Sequence, residues 1–192
     1  GNAVDAAVAT AFALAVTHPA AGNIGGGGFM VVMLENGKST TFDFRERAPA
    51  ASHPGMFLDE NEKYDSARHH FSHIAVGVPG SVAGLYLAHQ RLGKLAWKKL
   101  VEPAVRLAAD GFRVSAGLAA DLAARLGSFK KYPATLAQFS QKTGAYKAGE
   151  LLVQKDLAET LGRIRDQGAD GFYRGKTAEL LVAEMRRGGG LI

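Results

Sequence analysis

The run Gly25-Gly26-Gly27-Gly28, set between an apolar helical stretch and an apolar strand, constrains this chain more than any other feature. Ordering four consecutive glycines is entropically costly, so a folded chain keeps them where backbone passes close to something or takes positive φ. The strand that follows, Phe29 to Leu34, is continuously apolar, which predicts cover on both of its faces. Asn36-Gly37 then signals a type I′ hairpin turn, and Lys38 to Phe44 reads as the return strand. With a two-residue loop, Glu35 lies opposite Lys38, Phe29 opposite Phe44 and Gly28 opposite Arg45. Alternation puts Thr40, Phe42 and Phe44 on one face and Thr41, Asp43 and Arg45 on the other. A guanidinium at a strand end, beside residues without side chains, has room for a small anion.

Helices surround this hairpin in the sequence. Ala3 to Val16 is alanine-rich, with Val4, Val8, Phe12, Leu14 and Val16 spread around it, which predicts burial on all sides. Pro19 ends it. From Glu46 to about Ser72 periodicity disappears, and a loop of that length is expected to serve a site or an interface. Ile74 to Val78 reads as a short strand, and Pro79 as the first residue of a helix running to Leu92 and stopped by Gly93. Leu95 to Asp110 is a helix carrying Pro103, with Gly111 as its cap. Ser115 caps the next, which holds Leu118, Leu122 and Leu126. One short helix is expected between Ser128 and Gly149. Gln154 to Gln167 and Lys176 to Arg187 close the chain as amphipathic helices, with Phe172-Tyr173 in a turn between them.

The 192 residues, 47% hydrophobic, suffice for one core, and no run of 18 apolar residues occurs, which argues for a soluble globular protein rather than a membrane one. There is no cysteine, so disulfides and thiolate metal sites are excluded within the chain. The 23 basic and 18 acidic residues are scattered, with no aromatic-interleaved basic stripe to suggest a nucleic-acid partner. Both ends read as cuts. The chain opens on Gly1-Asn2 without an initiator Met and stops at Gly188-Gly189-Gly190-Leu191-Ile192, where a new element is expected to start, so the lack of a signal segment says nothing about targeting.

Four motifs compete with the anion reading. A dinucleotide fingerprint needs its glycines after a strand and before a helix, whereas the order here is helix, glycines, strand, and a Walker loop needs Gly-Lys-Ser/Thr where Gly28-Phe29 stand. His69, His70 and His73 have helical metal-pair spacing, but no H-E-x-x-H accompanies them and the segment reads as a solvated loop, so no metal is expected. Ser81 in Pro79-Gly80-Ser81-Val82-Ala83 has the setting of a nucleophile elbow with Pro and Ala at the flanks. His89, on the same helix, is the only histidine after it, so no triad is completed within the chain.

With these stretches in view, the sequence closely resembles the large-subunit portion of γ-glutamyltranspeptidases. The matching segments are Gly1 to Ala7, Ala15 to Pro19, Gly22 to Met30, Asp43-Phe44-Arg45-Glu46 with Ala48-Pro49, Gly77 to Gly80, Leu107 to Phe112 and Gly188 to Ile192, in the family's order from end to end. The resemblance implies an α+β fold, the N-terminal-nucleophile hydrolase type αββα sandwich, of which residues 1–192 form a single incomplete domain. It also implies a precursor that cleaves itself to free a threonine at the start of a small subunit. No catalytic residue is then expected in this chain, no cofactor or metal is implied, and the partners are the small-subunit polypeptide, glutathione or another γ-glutamyl donor, and an amino-acid or peptide acceptor. The family places such enzymes in the periplasm or outside the cell.

Carried over, the family's substrate-carboxylate arginine is Arg45, with Glu46 orienting it or assisting the substrate amine. Arg47 follows where some members have an apolar residue. Strand-end arginines are commonly solvated or paired with a local acid such as Asp43 or Glu46, and it is the adjoining glycines that single Arg45 out. A related amide hydrolase of the cephalosporin acylase or poly-γ-glutamate-cleaving type, and a non-catalytic remnant that binds a small anion, are the alternatives.

Overall fold

The computed structural model describes residues 1–192. In chain order its elements are α1 (Ala3–Thr17), β1 (Phe29–Met33), β2 (Ser39–Asp43), α2 (Ser66–Phe71), a 3₁₀ turn (His73–Ala75), α3 (Ser81–Leu92) and α4 (Trp97–Ala109). Then come β3 (Phe112–Arg113), α5 (Ala116–Phe129), α6 (Pro133–Phe139), β4 (Leu151–Leu152), α7 (Lys155–Gln167), α8 (Asp170–Tyr173) and α9 (Gly175–Arg187). No helix is long and apolar enough to cross a membrane.

The main core lies where α1, α3, α4 and α7 meet. Val8, Phe12 and Val16 of α1, Val101 and Ala104 of α4, and Leu161 and Ile164 of α7 are buried together, and Phe42 is the one strand residue buried in this main cluster. Trp97 ties the layers by donating its Nε1–H to the Ile164 carbonyl at 2.8 Å while its ring meets Phe12 edge-on. A smaller cluster of Val114, Leu118, Leu122 and Leu152 sits under α5 and the two-residue strands β3 and β4, which pair antiparallel.

α1 is not buried all round. Leu14 is 43% exposed, whereas the stripe containing Val4, Val8, Phe12 and Val16 faces the core. Its alanines let a moderately apolar helix tolerate a solvent face. Asp5, the one acid on α1, is buried at its N-terminus in a capping box with Asn2 and also accepts the Lys94 and Leu95 backbone N–H groups. Burial pushes this carboxyl up, and the hydrogen bonds from Lys94, Asn2 and Leu95 outweigh it and hold the group below the usual carboxylate range.

The hairpin departs from expectation in register and in cover. β1 and β2 pair antiparallel with Phe29 opposite Asp43 and Met33 opposite Ser39, one residue off the predicted ladder. The loop has three residues. Leu34 donates to the Lys38 carbonyl, Gly37 donates to the Leu34 carbonyl, and Asn36 Oδ1 takes the Lys38 N–H. Only Gly37 has positive φ, at 78°, so a type I′ turn, which needs positive φ at both central residues, is not formed. β1 is covered on one face: Met30 and Val32 pack on the core, while Phe29, Val31 and Met33 are 64%, 76% and 71% exposed.

Elsewhere the helix boundaries hold to within a residue or two, with Ser115 capping α5 and Gly168 ending α7 at φ 64. α3 starts at Ser81 rather than Pro79. The expected strand over 74–78 is instead the 3₁₀ turn, followed by a lone antiparallel bridge between Val78 and Arg47.

Candidate active site

Arg45 stands just past the end of β2, where three separate segments converge. Gly28 pairs with Phe44, not with Arg45: Phe44 donates to the Gly28 carbonyl at 3.0 Å, and Gly28 donates back. The glycine that abuts the arginine segment is Gly27, where an added Cβ would fall 2.3 Å from the Glu46 nitrogen and 2.6 Å from its Oε2. Next to it, the Gly26 carbonyl accepts the Gly80 and Ser81 N–H groups at 2.8 and 2.9 Å, which docks the glycine loop onto the start of α3. On the far side Gly84 presses on the Phe44 ring so closely that a Cβ there would lie 2.0 Å from Cγ.

These contacts frame a cleft of about 510 Å³. Asp43, Phe44, Arg45, Glu46 and Arg47 form one wall, Val78 to Gly80 with Ala83, Gly84 and Leu87 the other, and Tyr173 reaches in from α8. The Tyr173 hydroxyl donates to the Pro79 carbonyl at 2.9 Å and accepts the Ala83 N–H at 3.2 Å. Because Gly80 offers no side-chain cap, this hydroxyl satisfies one of the free amides of the first turn of α3 from another element. Burial raises the Tyr173 pKa, opposed by the Ala83 bond, so the phenol stays protonated at neutral pH.

The Arg45 side chain is 68% exposed, and its Nε lies 3.5 Å from Glu46 Oε1. An ion pair this open contributes about 0–1 kcal/mol and is readily exchanged for a ligand carboxylate. Asp43 Oδ1 accepts the Arg45 backbone N–H at 3.1 Å, which braces the chain rather than the guanidinium. Glu46, the second predicted site residue, thus faces both Arg45 and Gly27. Arg47 lines the same cleft.

The other motifs lie elsewhere. His69 and His70 are on α2, a helix the sequence reading missed although Asp65 caps it by accepting the Ala67 and Arg68 N–H groups. Both imidazoles turn to the Tyr64 hydroxyl, at 2.7 and 3.3 Å. His73 instead meets Glu184 on α9, Nε2 to Oε1 at 2.9 Å. No group of three or more His, Asp or Glu side chains gathers as a metal site would require. Ser81 is buried in the first turn of α3, and His89 Nε2 is engaged with the Leu95 carbonyl at 2.7 Å. Tyr173 and Gly84 escaped the sequence reading because their contacts are long-range and carry no local signature.

The family profile described as Gamma-glutamyltranspeptidase matches residues 1–192. The chain belongs to the γ-glutamyltranspeptidase family. Among relatives in this family, the glutathione hydrolase proenzyme of Escherichia coli K12 is 48% identical over all of this chain and 33% of its own length. The crystal structure of Helicobacter pylori γ-glutamyltranspeptidase superposes with a TM-score of 0.96 at 45% identity, covering 100% of this chain and 55% of that one. A cephalosporin acylase from Bacillus halodurans superposes at 0.83 with 28% identity, over 100% of this chain and 36% of the other. The chain therefore spans about a third of the length of the curated γ-glutamyltranspeptidase relatives it matches. The α+β, N-terminal-nucleophile hydrolase fold implied by the sequence resemblance is the fold found, with the helices and one hairpin of the sandwich present here.

Proposed function

We propose that this chain is the large-subunit part of an enzyme that cleaves γ-glutamyl amides such as glutathione and passes the γ-glutamyl group to water, an amino acid or a peptide. Membership of the family over residues 1–192, together with the position of Arg45 in a cleft against the glycine loop, supports the reading. The planar guanidinium takes the α-carboxylate of the γ-glutamyl group through two parallel charge-assisted hydrogen bonds, which a lysine cannot reproduce. Glu46 keeps the guanidinium in place until a carboxylate displaces it.

The nucleophile in this reading is a threonine freed by self-cleavage at the start of a small subunit. Its α-amino group, with a pKa near ~8, takes the hydroxyl proton as the oxygen attacks the amide carbonyl. The amide C–N bond breaks, the amine leaves with that proton, and water or an amine then attacks the acyl-threonine ester and releases the glutamyl product. This chain supplies the scaffold and the carboxylate clamp and is inactive alone. The small subunit is its partner, and the uncovered face of β1, with Phe29, Val31 and Met33 open to solvent, is where a second sheet would lie. A periplasmic or extracellular location belongs to the same reading.

Mass spectrometry of the purified full-length product tests it: two fragments are expected, the smaller beginning with threonine, together with release of glutamate from glutathione. The likeness to the Bacillus halodurans cephalosporin acylase favours a second reading, an acylase of the same fold. Turnover of glutaryl amides in preference to glutathione would establish it.

A further inference from the structure

A second arginine, Arg47, lines the cleft, and the carboxylate clamp does not use it. Arg47 lies two residues beyond Arg45, so their Cα atoms are at most about 7 Å apart. Its backbone is fixed: Arg47 donates to the Val78 carbonyl at 3.1 Å and accepts the Val78 N–H at 2.7 Å. The two acids of this wall are engaged elsewhere, Glu46 with the Arg45 guanidinium and Asp43 with the Arg45 N–H. Arg47 is therefore the cation of this cleft left without a carboxylate, on an anchored strand-like segment beside the clamp.

Resting on the γ-glutamyl reading above, we propose that Arg47 selects donors whose leaving group carries its own carboxylate, as the C-terminal end of a γ-glutamyl peptide does. A donor with two carboxylates would then be held at both ends, the α-carboxylate on Arg45 and the distal one on Arg47. The second contact is solvent-facing, so its effect is that of an exposed ion pair, about 2- to 5-fold in kcat/KM, and it weakens as salt rises.

Two chromogenic donors that differ by one carboxylate test this in the full-length, processed enzyme: L-γ-glutamyl-4-nitroanilide and L-γ-glutamyl-3-carboxy-4-nitroanilide. The readout is the ratio of their kcat/KM values, which cancels any loss of folded enzyme. In Arg47→Met the preference for the carboxylated donor falls by about 2- to 5-fold, through KM, with Arg47→Lys intermediate. A ratio equal to that of the wild type overturns the inference. A carboxylate-dependent change seen only with acceptors, glycylglycine against glycylglycinamide, overturns the donor assignment. A wild-type enzyme that turns over neither anilide removes the γ-glutamyl reading and this inference together, a result distinct from both others.

Discussion

Gly27 lies against the peptide that carries Glu46, so that a methyl group on Gly27 would come within 2.3 Å of the Glu46 nitrogen and 2.7 Å of the Arg45 carbonyl carbon. The absence of a side chain there lets the glycine loop and the arginine segment share one wall. Gly27→Ala is expected to displace Arg45 and Glu46 together and to weaken donor binding more than it lowers thermal stability. Steady-state kinetics of the full-length enzyme beside its melting curve check this. Loss of stability with an unchanged KM for the donor would contradict it.

Gly84 meets Phe44 from the other side, and α3 has no room to retreat from β2 without breaking the bonds of Gly26 to Gly80 and Ser81. Gly84→Ala therefore overpacks the contact. A loss of about 1–3 kcal/mol is expected, read as a lower denaturation midpoint of the full-length enzyme in urea. An unchanged midpoint would mean that the ring moves freely.

Tyr173→Phe removes the hydroxyl that serves both Pro79 and the first turn of α3. The change should cost about 0.5–2 kcal/mol, as loss of a helix cap does, and should loosen the cleft wall at Pro79 and Gly80. Thermal unfolding of the variant measures the first effect. Donor KM measures the second, and a variant equal to wild type in both would exclude the capping role.

Glu184 links two distant parts of the chain, taking hydrogen bonds from Arg187 on its own helix and from His73 after α2. Arg187 first and His73 second hold its carboxyl at about 2, against an ordinary value of 4.5. A depressed folded-state pKa gives stability that is fully present above 4.5 and is lost as pH falls towards about 2. Acid unfolding of Glu184→Gln should therefore show a shallower decline across that window than wild type. Equal slopes would show that the interaction is absent in solution.

Much of this architecture was legible in the sequence because helices announce themselves locally. Ser115 before an apolar run and Gly168 after one mark ends that the fold respects. The hairpin was legible in position but not in register, because Asn36 bonds Lys38 through its side chain and draws a third residue into the turn. α2 was missed although Asp65 caps it, since its histidines give no apolar stripe. For the site, the sequence indicated Arg45, Glu46 and the glycines. The partners that shape the cleft, Gly84 against Phe44 and Tyr173 over Pro79, arise from packing between elements far apart in the chain, which no periodicity encodes.

The most direct test of the proposed clamp is the kinetics of Arg45→Ala and Arg45→Lys in the full-length enzyme with a γ-glutamyl anilide. In this account the small subunit and the bound donor bury the Arg45–carboxylate pair in the whole enzyme, and losing one partner of a buried pair costs about 2–5 kcal/mol, so Arg45→Ala lowers kcat/KM by roughly 30-fold to several thousand-fold, with Arg45→Lys recovering only part because it lacks the fork. Unchanged kcat/KM in Arg45→Ala would contradict the assignment of Arg45 as the group that holds the substrate carboxylate.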